Sequence, residues 1–141
     1  VAYTLLDAKY QRSFCTPQPC TDENLVRAGN HIPGIARQVL YASVAWMPPQ
    51  GWHGGAELQA VSRVYANDRN TAHAPGYMTA ALHAGYTRTI NRWDLNAFVR
   101  VDNVLNRRTI GSVIVNDGNG RYFEPAPGRN WSAGISAVYR F

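Results

Sequence analysis

Apolar and polar residues alternate with a period of two along much of this 141-residue chain. The closing string NWSAGISAVYRF shows the pattern clearly, because Trp131, Ala133 and Ile135 fall in one row while Ser132 and Ser136 fall in the other. A period of two places alternate side chains on opposite faces of a β-strand. No segment shows the sustained apolar stripe of an amphipathic helix. The sequence therefore predicts an all-β protein.

Six segments carry this alternation, and each is about ten residues long, which is the length of a tilted membrane-spanning strand. Their predicted bounds are about 2–13, 38–47, 56–66, 77–89, 95–105 and 130–141. Short turns join the second segment to the third and the fourth to the fifth, whereas the other three connections are long. This asymmetry is typical of an antiparallel barrel in an outer membrane. The string DENLVRA, at 22–28, predicts one helical turn in the first long loop.

The residues on the apolar faces favour a membrane barrel over a soluble β-sandwich. A sandwich fills its core with large side chains at mid-strand, but the mid-strand residues here are small. They are Ala42, Ala60, Ala80, Ala97 and Ala133. Aromatic residues mark the strand ends, as they do at a bilayer interface. At the short-turn ends these are Trp46, Tyr86, Tyr139 and Phe141, and at the long-loop ends Tyr10 and Trp131.

The opposite faces of the predicted strands are polar, which suits a water-filled lumen. Their charged and titratable residues are Glu57, Arg63, His83, Arg100, Asp102 and Arg140. Six strands are too few to close a membrane barrel without open edges. We therefore expect either a C-terminal piece of a longer chain or a small pore assembled from several copies. The chain begins at Val1 without a signal peptide, which fits a mature form or a fragment.

Composition limits the other classes of protein. The chain is 45% hydrophobic and 16% charged, and no apolar run approaches the roughly 18 residues of a membrane helix. Net charge is +5, and Lys9 is the only lysine among 14 basic residues, which fits a base-composition bias. Nucleic-acid binding is not expected, because the arginines are scattered and no recognition motif is present. Arginines at the rim of a barrel could instead meet anionic lipid head groups or an anionic ligand.

Cysteines and glycines predict local loop structure. Cys15 and Cys20, in CTPQPC, favour a small disulfide-closed loop in an oxidising compartment, with free thiols as the alternative. The strings GWHGG and NDGNG predict turns, and the second is placed at the tip of the last long loop. The four histidines are scattered, and no constellation of catalytic residues is present. We therefore expect no enzyme and no metal held by the protein itself.

Four strings, in order, resemble the TonB-dependent outer-membrane receptors. AGNHIPGIARQVLYASVAW resembles the stretch that leads into a late strand, and NTAHAPGYMTAALHAGY the segment after it. FVRVDNVLNRR resembles the penultimate strand, although Leu105 replaces the usual aromatic residue and Asn106 the usual acid. GRYFEPAPGRNWSAGISAVYRF resembles the final loop and last strand. The resemblance covers essentially the whole chain.

The resemblance implies an all-β, antiparallel transmembrane β-barrel of about 22 strands, of which residues 1–141 would supply the last six. The N-terminal plug would be absent from this chain. Such receptors import an iron-siderophore, or a similar scarce cofactor, across the bacterial outer membrane with energy from the TonB complex, which contacts the missing N-terminal part. The ligand carries its own iron, so no cofactor is expected. Outer-membrane lipid, lipopolysaccharide and the barrel-assembly machinery are implied partners, and Tyr139 and Phe141 are the candidate assembly signal.

Ligand contacts are expected in the long loops, because loops on a rigid barrel carry recognition. Arginine can pair with an anionic siderophore, and tyrosine offers a flat face for stacking. The candidate ligand-binding residues are Arg69, His73, Arg107, Arg108, Arg121 and Tyr122.

Overall fold

A computed structural model describes residues 1–15 and 17–141, and this part of the chain contains twelve β-strands. Five have the length of the predicted barrel strands and a sixth is a short edge strand, whereas the other six are short pieces within the long loops. The strands are β1 Ala2–Leu5, β2 Phe14–Cys15, β3 Leu25–Val26, β4 Gln38–Trp46, β5 Gly51–Val61, β6 Val64–Tyr65, β7 His73–Ala74, β8 Tyr77–Ile90, β9 Trp93–Asp102, β10 Ile110–Val113, β11 Phe123–Pro125 and β12 Asn130–Tyr139.

All six predicted strands are present in one antiparallel sheet, in the order β1-β4-β5-β8-β9-β12. Each of these strands therefore pairs with the next one along the chain, as in an up-and-down barrel wall. Three two-stranded sheets, β2-β3, β6-β7 and β10-β11, lie in the long connections. The sheet does not close on itself, so β1 and β12 are its edges. The described residues contain no helix long and apolar enough to cross a membrane.

The register confirms the predicted separation of two faces. Reading across the sheet from β12 to β4, Ala133 lies opposite Val99, then Ala84, Gly54 and Trp46. We call this side the apolar face. It is open rather than packed, since Ile135 is 85% exposed.

The other side, which we call the polar face, is offset by one residue on every strand. There Ser132 lies opposite Arg100, then His83 and Gly55. No large side chain in the described part of the chain is fully buried. A single sheet with an exposed apolar face and no second layer has the organisation of a barrel wall, not of a sandwich.

The first predicted strand is wrong beyond Leu5. Its partner β4 begins at Gln38, opposite Leu5, so the sheet has no further residues to pair with the segment that follows. Residues 6–13 instead pair within the first long loop, where Tyr10 N donates to Asn30 O at 2.9 Å. Ile32 N likewise donates to the carbonyl of residue 8 at 3.0 Å. The alternation continues past the barrel wall because the segment remains extended.

The predicted turn at GWHGG is also wrong. Those residues begin β5, which runs from Gly51 to Val61 rather than over 56–66, and the turn is confined to residues 47–50. The glycines leave space for rings from the neighbouring strand: a Cβ on Gly55 would lie 2.7 Å from His83 Cε1 and 2.5 Å from Val44 O. Glycine here serves close side-chain approach within a strand.

The remaining boundaries differ by a few residues. β9 begins at Trp93, after a two-residue turn in which Asn91 has a φ of 54°, and it ends before Asn103, whose φ of 49° breaks the strand. In the first loop Leu25 N donates to Thr21 O at 3.1 Å and closes one turn, but β3 begins at Leu25, so the turn predicted over 22–28 is confined to 22–24. The string NDGNG forms the tip of the β10-β11 hairpin, as predicted.

Candidate functional site

The three long loops are tied together by Asp68. Its carboxylate accepts hydrogen bonds from Tyr10 Oη at 2.7 Å and from Asn116 Nδ2 at 2.9 Å. Its backbone N–H donates to Asn116 Oδ1 at 3.1 Å, and its carbonyl accepts from Asn30 Nδ2 at 2.9 Å. Tyr10 and Asn30 belong to the first loop, Asp68 to the second and Asn116 to the third. One residue therefore joins all three loops.

A second link joins the second loop to the first, and in it the side chain of Asn70 pairs with the backbone of His31 as a neighbouring strand would. Asn70, with a φ of 58°, accepts a hydrogen bond from His31 N at 2.7 Å and donates one to His31 O at 2.8 Å. Asparagine tolerates this left-handed conformation and hydrogen-bonds in the manner of a backbone group. The loops are thus held in a fixed arrangement above the long-loop end of the sheet.

Burial, together with the hydrogen bond to Asp68 and the charge of that carboxylate, raises the pKa of Tyr10 to about 12. Since the folded pKa exceeds the ordinary value of 10.0, this contact contributes its full stabilisation below about pH 10 and loses it as the pH rises to about 12. Tyr10→Phe should remove one part of the tyrosinate absorbance. In the unaltered protein we expect that part to titrate near pH 12. Asp68→Asn should lower that midpoint. A Tyr10 contribution that titrates at pH 10 in the unaltered protein would contradict the buried contact.

A cavity of about 630 Å³ opens between the three loops. Two predicted ligand-binding residues, Arg69 and Tyr122, meet there. The guanidinium of Arg69 also donates to Glu23 O, which joins the second loop to the first. The other lining residues are Glu23, Asn24, Val26, Asn67, Asp68, Asn116, Asp117 and Gly118. This cavity is the candidate ligand site.

The remaining predicted ligand-binding residues lie around the cavity or apart from it. Arg121 precedes Tyr122, and its backbone N–H donates to Asp117 Oδ2 at 2.8 Å at the hairpin tip. His73 packs edge-on against Tyr65, 6.1 Å between ring centroids, and does not line the cavity. Arg107 and Arg108 line a different groove, at the long-loop end of β8.

The polar face carries an ion-pair network centred on Arg100. Its guanidinium reaches Glu57 with two hydrogen bonds, at 2.6 and 3.1 Å, and Asp102 with one at 2.9 Å. Because Glu57 is on β5 and Arg100 on β9, the side chain crosses β8. The small residue Ala81, opposite Glu57 and on the same face, leaves room for the crossing. The sequence predicted a charged face but not this pairing, which depends on the register of three strands.

Two further polar links lie nearer the short turns. His53 Nε2 lies 3.0 Å from Asn96 Oδ1 and so also crosses β8. Asp94 accepts hydrogen bonds from Thr89 Oγ1 at 2.7 Å and from Arg140 Nε at 2.5 Å. The sequence does not predict this role for His53, because its string, GWHGG, is typical of a turn. The signal that could have identified it is a glycine opposite each histidine on the neighbouring strand, Gly85 opposite His53 and Gly55 opposite His83.

His53 can cross β8 only because residue 85 is glycine. A Cβ there would meet the His53 ring, and it would lie 2.6 Å from Ala97 O. We expect Gly85→Val to lower the free energy of unfolding by about 1–3 kcal/mol through overpacking. Gly118→Val is the matched control, since a Cβ at Gly118 meets no atom within 4 Å. Equal midpoints of chemical unfolding for the two variants would argue against the crossing.

Aromatic rings form a band at the short-turn ends on the apolar face. Trp52 packs edge-on against Tyr86 at 5.2 Å between centroids, and Trp93 packs against Tyr139 at 5.1 Å. Tyr139 in turn contacts Phe141 at 5.4 Å. The two tryptophans extend the predicted band, and both lay outside the predicted strand bounds. The assembly role of Tyr139 and Phe141 stays a prediction.

Cysteine pairing stiffens the first loop. The structure joins Cys15 and Cys20 by a disulfide, with their Cα atoms 5.4 Å apart. β2, which contains Cys15, pairs with β3 in the same loop. Among residues 1–15 and 17–141, no three His, Cys, Asp or Glu side chains gather as a metal site.

Solved structures share this arrangement of strands. The siderophore receptor PiuA from Acinetobacter baumannii is 24% identical, with a TM-score of 0.72 over 96% of this chain and 18% of its own. BauA, the ferric preacinetobactin receptor from Acinetobacter baumannii, is 17% identical, with a TM-score of 0.66 over 78% of this chain and 16% of its own. The ferric citrate transporter FecA, in its unliganded form, is 19% identical, with a TM-score of 0.67 over 79% of this chain and 18% of its own.

This chain therefore spans less than a fifth of the length of these structures. Residues 1–104 match the family model described as TonB dependent receptor-like, beta-barrel. The six-stranded sheet is accordingly one wall of a transmembrane β-barrel, with the apolar face toward lipid and the polar face toward the lumen. The chain belongs to the TonB-dependent receptor-like β-barrel family.

Proposed function

We propose that the protein takes up an iron-siderophore, or a scarce cofactor of similar chemistry, across the bacterial outer membrane with energy from the TonB complex. Family membership supports a transport receptor rather than an enzyme. The names of the solved relatives support the class of substrate, since they are a siderophore receptor, a ferric preacinetobactin receptor and a ferric citrate transporter. In this proposal the plug and the TonB-contacting segment belong to the part of the protein outside residues 1–141.

The cavity between the three loops is the observation that carries the proposal. Arg69 and Tyr122 both line it, and a guanidinium can pair with an anionic group while a phenol ring can stack on an aromatic one. Two carboxylates in the lining already accept hydrogen bonds from protein donors, Asp68 from Tyr10 and Asp117 from the backbone. The third acidic residue of the lining is Glu23, and its basic residue is Arg69, so an anionic group of a ligand would pair with Arg69.

The fixed loop arrangement supports binding by reducing the cost of ordering the site. Asp68 and Asn70 hold the loops together without any ligand, so little conformational entropy is lost when one binds. Arg121, beside Tyr122, adds positive charge at the hairpin tip. His73 lies outside the cavity and is assigned no direct contact.

The test uses a strain that lacks the receptor and is complemented with the intact protein that contains this chain. We expect uptake of radioactive iron from one member of a panel of ferric siderophores, and we expect it to require functional TonB. The double variant Arg69→Ala/Tyr122→Ala should weaken ligand binding about 10- to 100-fold. Arg92→Ala, in the turn at the opposite end of the sheet, is the control and should bind normally. Uptake without TonB, or equal binding by both variants, would refute the proposal.

A further inference from the structure

The arginine of the candidate ligand site is held by the first loop. Within the described residues, the guanidinium of Arg69 has one hydrogen-bond acceptor, the backbone carbonyl of Glu23. A guanidinium carries several N–H donors, so this contact leaves the others for an anion. Because Arg69 is exposed, its side chain would take many rotamers without this contact. The part of the loop that fixes Glu23 therefore also fixes Arg69.

Asn24 fills the small loop that the Cys15–Cys20 disulfide closes. Its Nδ2 group donates to Pro17 O at 2.7 Å and to Pro19 O at 3.1 Å. Its Oδ1 accepts from Thr21 N at 2.8 Å. Proline has no backbone N–H, so the loop has few donors of its own for these carbonyls. The side-chain amide of Asn24 thus supplies hydrogen bonds that the loop cannot make by itself.

The turn that follows this loop carries the carbonyl of Glu23. Leu25 N donates to Thr21 O at 3.1 Å and closes the turn. β3 then begins at Leu25, which lies opposite Cys15 of β2. Val26, the next residue of β3, is 5% exposed and lines the candidate cavity. The disulfide loop and the pairing of β2 with β3 therefore fix the two ends of the turn, and the carbonyl that orients the guanidinium lies between them.

We propose that Asn24 is a positioning residue for Arg69, because it holds the Glu23 carbonyl where that carbonyl orients the guanidinium for an anionic group of the transported ligand. The role in binding rests on the proposed function, but the orientation of Arg69 exists without a ligand. An arginine that is already oriented loses less rotamer freedom when it binds, so the anion is held more tightly. Asn24 acts through Arg69, since both ends of its own amide are taken by backbone groups.

The reactivity of Arg69 toward phenylglyoxal, which condenses with guanidinium groups, tests the positioning without a ligand. The intact, detergent-solubilised protein is labelled briefly and digested, and modification at Arg69 is measured by mass spectrometry. We expect Asn24→Ala to raise the rate of this modification about tenfold, the equivalent of one hydrogen bond from a charged donor. Arg121 is the internal standard, because its guanidinium makes no hydrogen bond within the described residues, and its rate should stay unchanged.

Two further variants separate positioning from a general loss of structure. Asn24→Asp keeps the acceptor for Thr21 N but cannot donate to the two proline carbonyls, so it should also raise the rate at Arg69. Asn119→Ala changes an exposed loop asparagine whose side chain makes no hydrogen bond in the described part of the chain, and it should leave the rate unchanged. An unchanged rate at Arg69 in either Asn24 variant, or an equal rise at Arg121, would overturn the proposal.

The consequence for transport is measured as uptake of radioactive iron in the complemented strain, over a range of concentrations of the panel member that supports uptake. Asn24→Ala should raise the half-saturating concentration about tenfold and leave the maximal rate unchanged. In the Arg69→Ala background the same substitution should have no effect, since no guanidinium remains to be oriented. An equal effect in both backgrounds would overturn the positioning role. Absence of uptake with every panel member would refute the proposed function, whereas the positioning of Arg69 would still be decided by its reactivity.

Discussion

Ile135→Arg is expected to lower the free energy of unfolding of the intact, membrane-embedded protein by about 2–4 kcal/mol, the cost of a charge on the lipid face near mid-bilayer. Ile135 lies near the middle of β12 on the apolar face and is 85% exposed, so its replacement opens no cavity and disturbs no packed neighbour. The loss would therefore measure contact with hydrocarbon. It is read from the denaturant midpoint of reversible unfolding in lipid vesicles.

Ser136→Arg is the matched control, because the residue is next along the chain but on the polar face, opposite Asn96. An arginine there meets water or the contents of the lumen and should cost much less than at Ile135. Similar losses for the two variants would mean that the faces are not divided between lipid and lumen.

Arg100→Ala is the second change with a large expected effect, a loss of about 2–4 kcal/mol. Arg100 is the only partner that pairs with both Glu57 and Asp102 among the described residues, and its side chain is 32% exposed. Its removal leaves two carboxylates of like charge, Glu57 on β5 and Asp102 on β9, without the guanidinium that bridges them. The measurement is again the denaturant midpoint of the intact protein.

A double-mutant cycle separates the ion pair from other effects of truncation. If the two hydrogen bonds between Arg100 and Glu57 stabilise the wall, Glu57→Ala/Arg100→Ala should cost less than the sum of the single variants. Asp102→Ala should have a smaller effect, because it removes one hydrogen bond. Strict additivity of Glu57→Ala and Arg100→Ala would contradict the network.

The sequence predicts the wall of the barrel well because its signal is local. A residue such as Ala133 or Ser132 is assigned to a face by its neighbours two positions away, and every strand keeps that alternation. The string GWHGG predicts a turn, because paired glycines are typical of turns. The ring of His83, which lies against Gly55 from the next strand, is a contact that the local sequence does not reveal.

The candidate site is harder to predict because it depends on contacts between distant parts of the chain. Asp68 meets Tyr10 and Asn116, which are separated from it by 58 and 48 residues. Nothing in the local sequence distinguishes this aspartate from the others in the loops. Similarly, the chemistry of their side chains makes Arg69 and Tyr122 candidates, but only the loop packing shows that both line one cavity and that Arg107 does not.

The division of the sheet into a lipid side and a lumen side is the central claim, and spin labels at two adjacent positions test it directly. Ala133 and Ser132 are neighbours on β12, so labels at these sites differ only in the face from which they project. In the intact protein in vesicles, we predict that a label at Ala133 collides freely with oxygen dissolved in lipid, whereas a label at Ser132 is shielded from it. The reverse pattern, with Ser132 accessible and Ala133 shielded, would contradict the account.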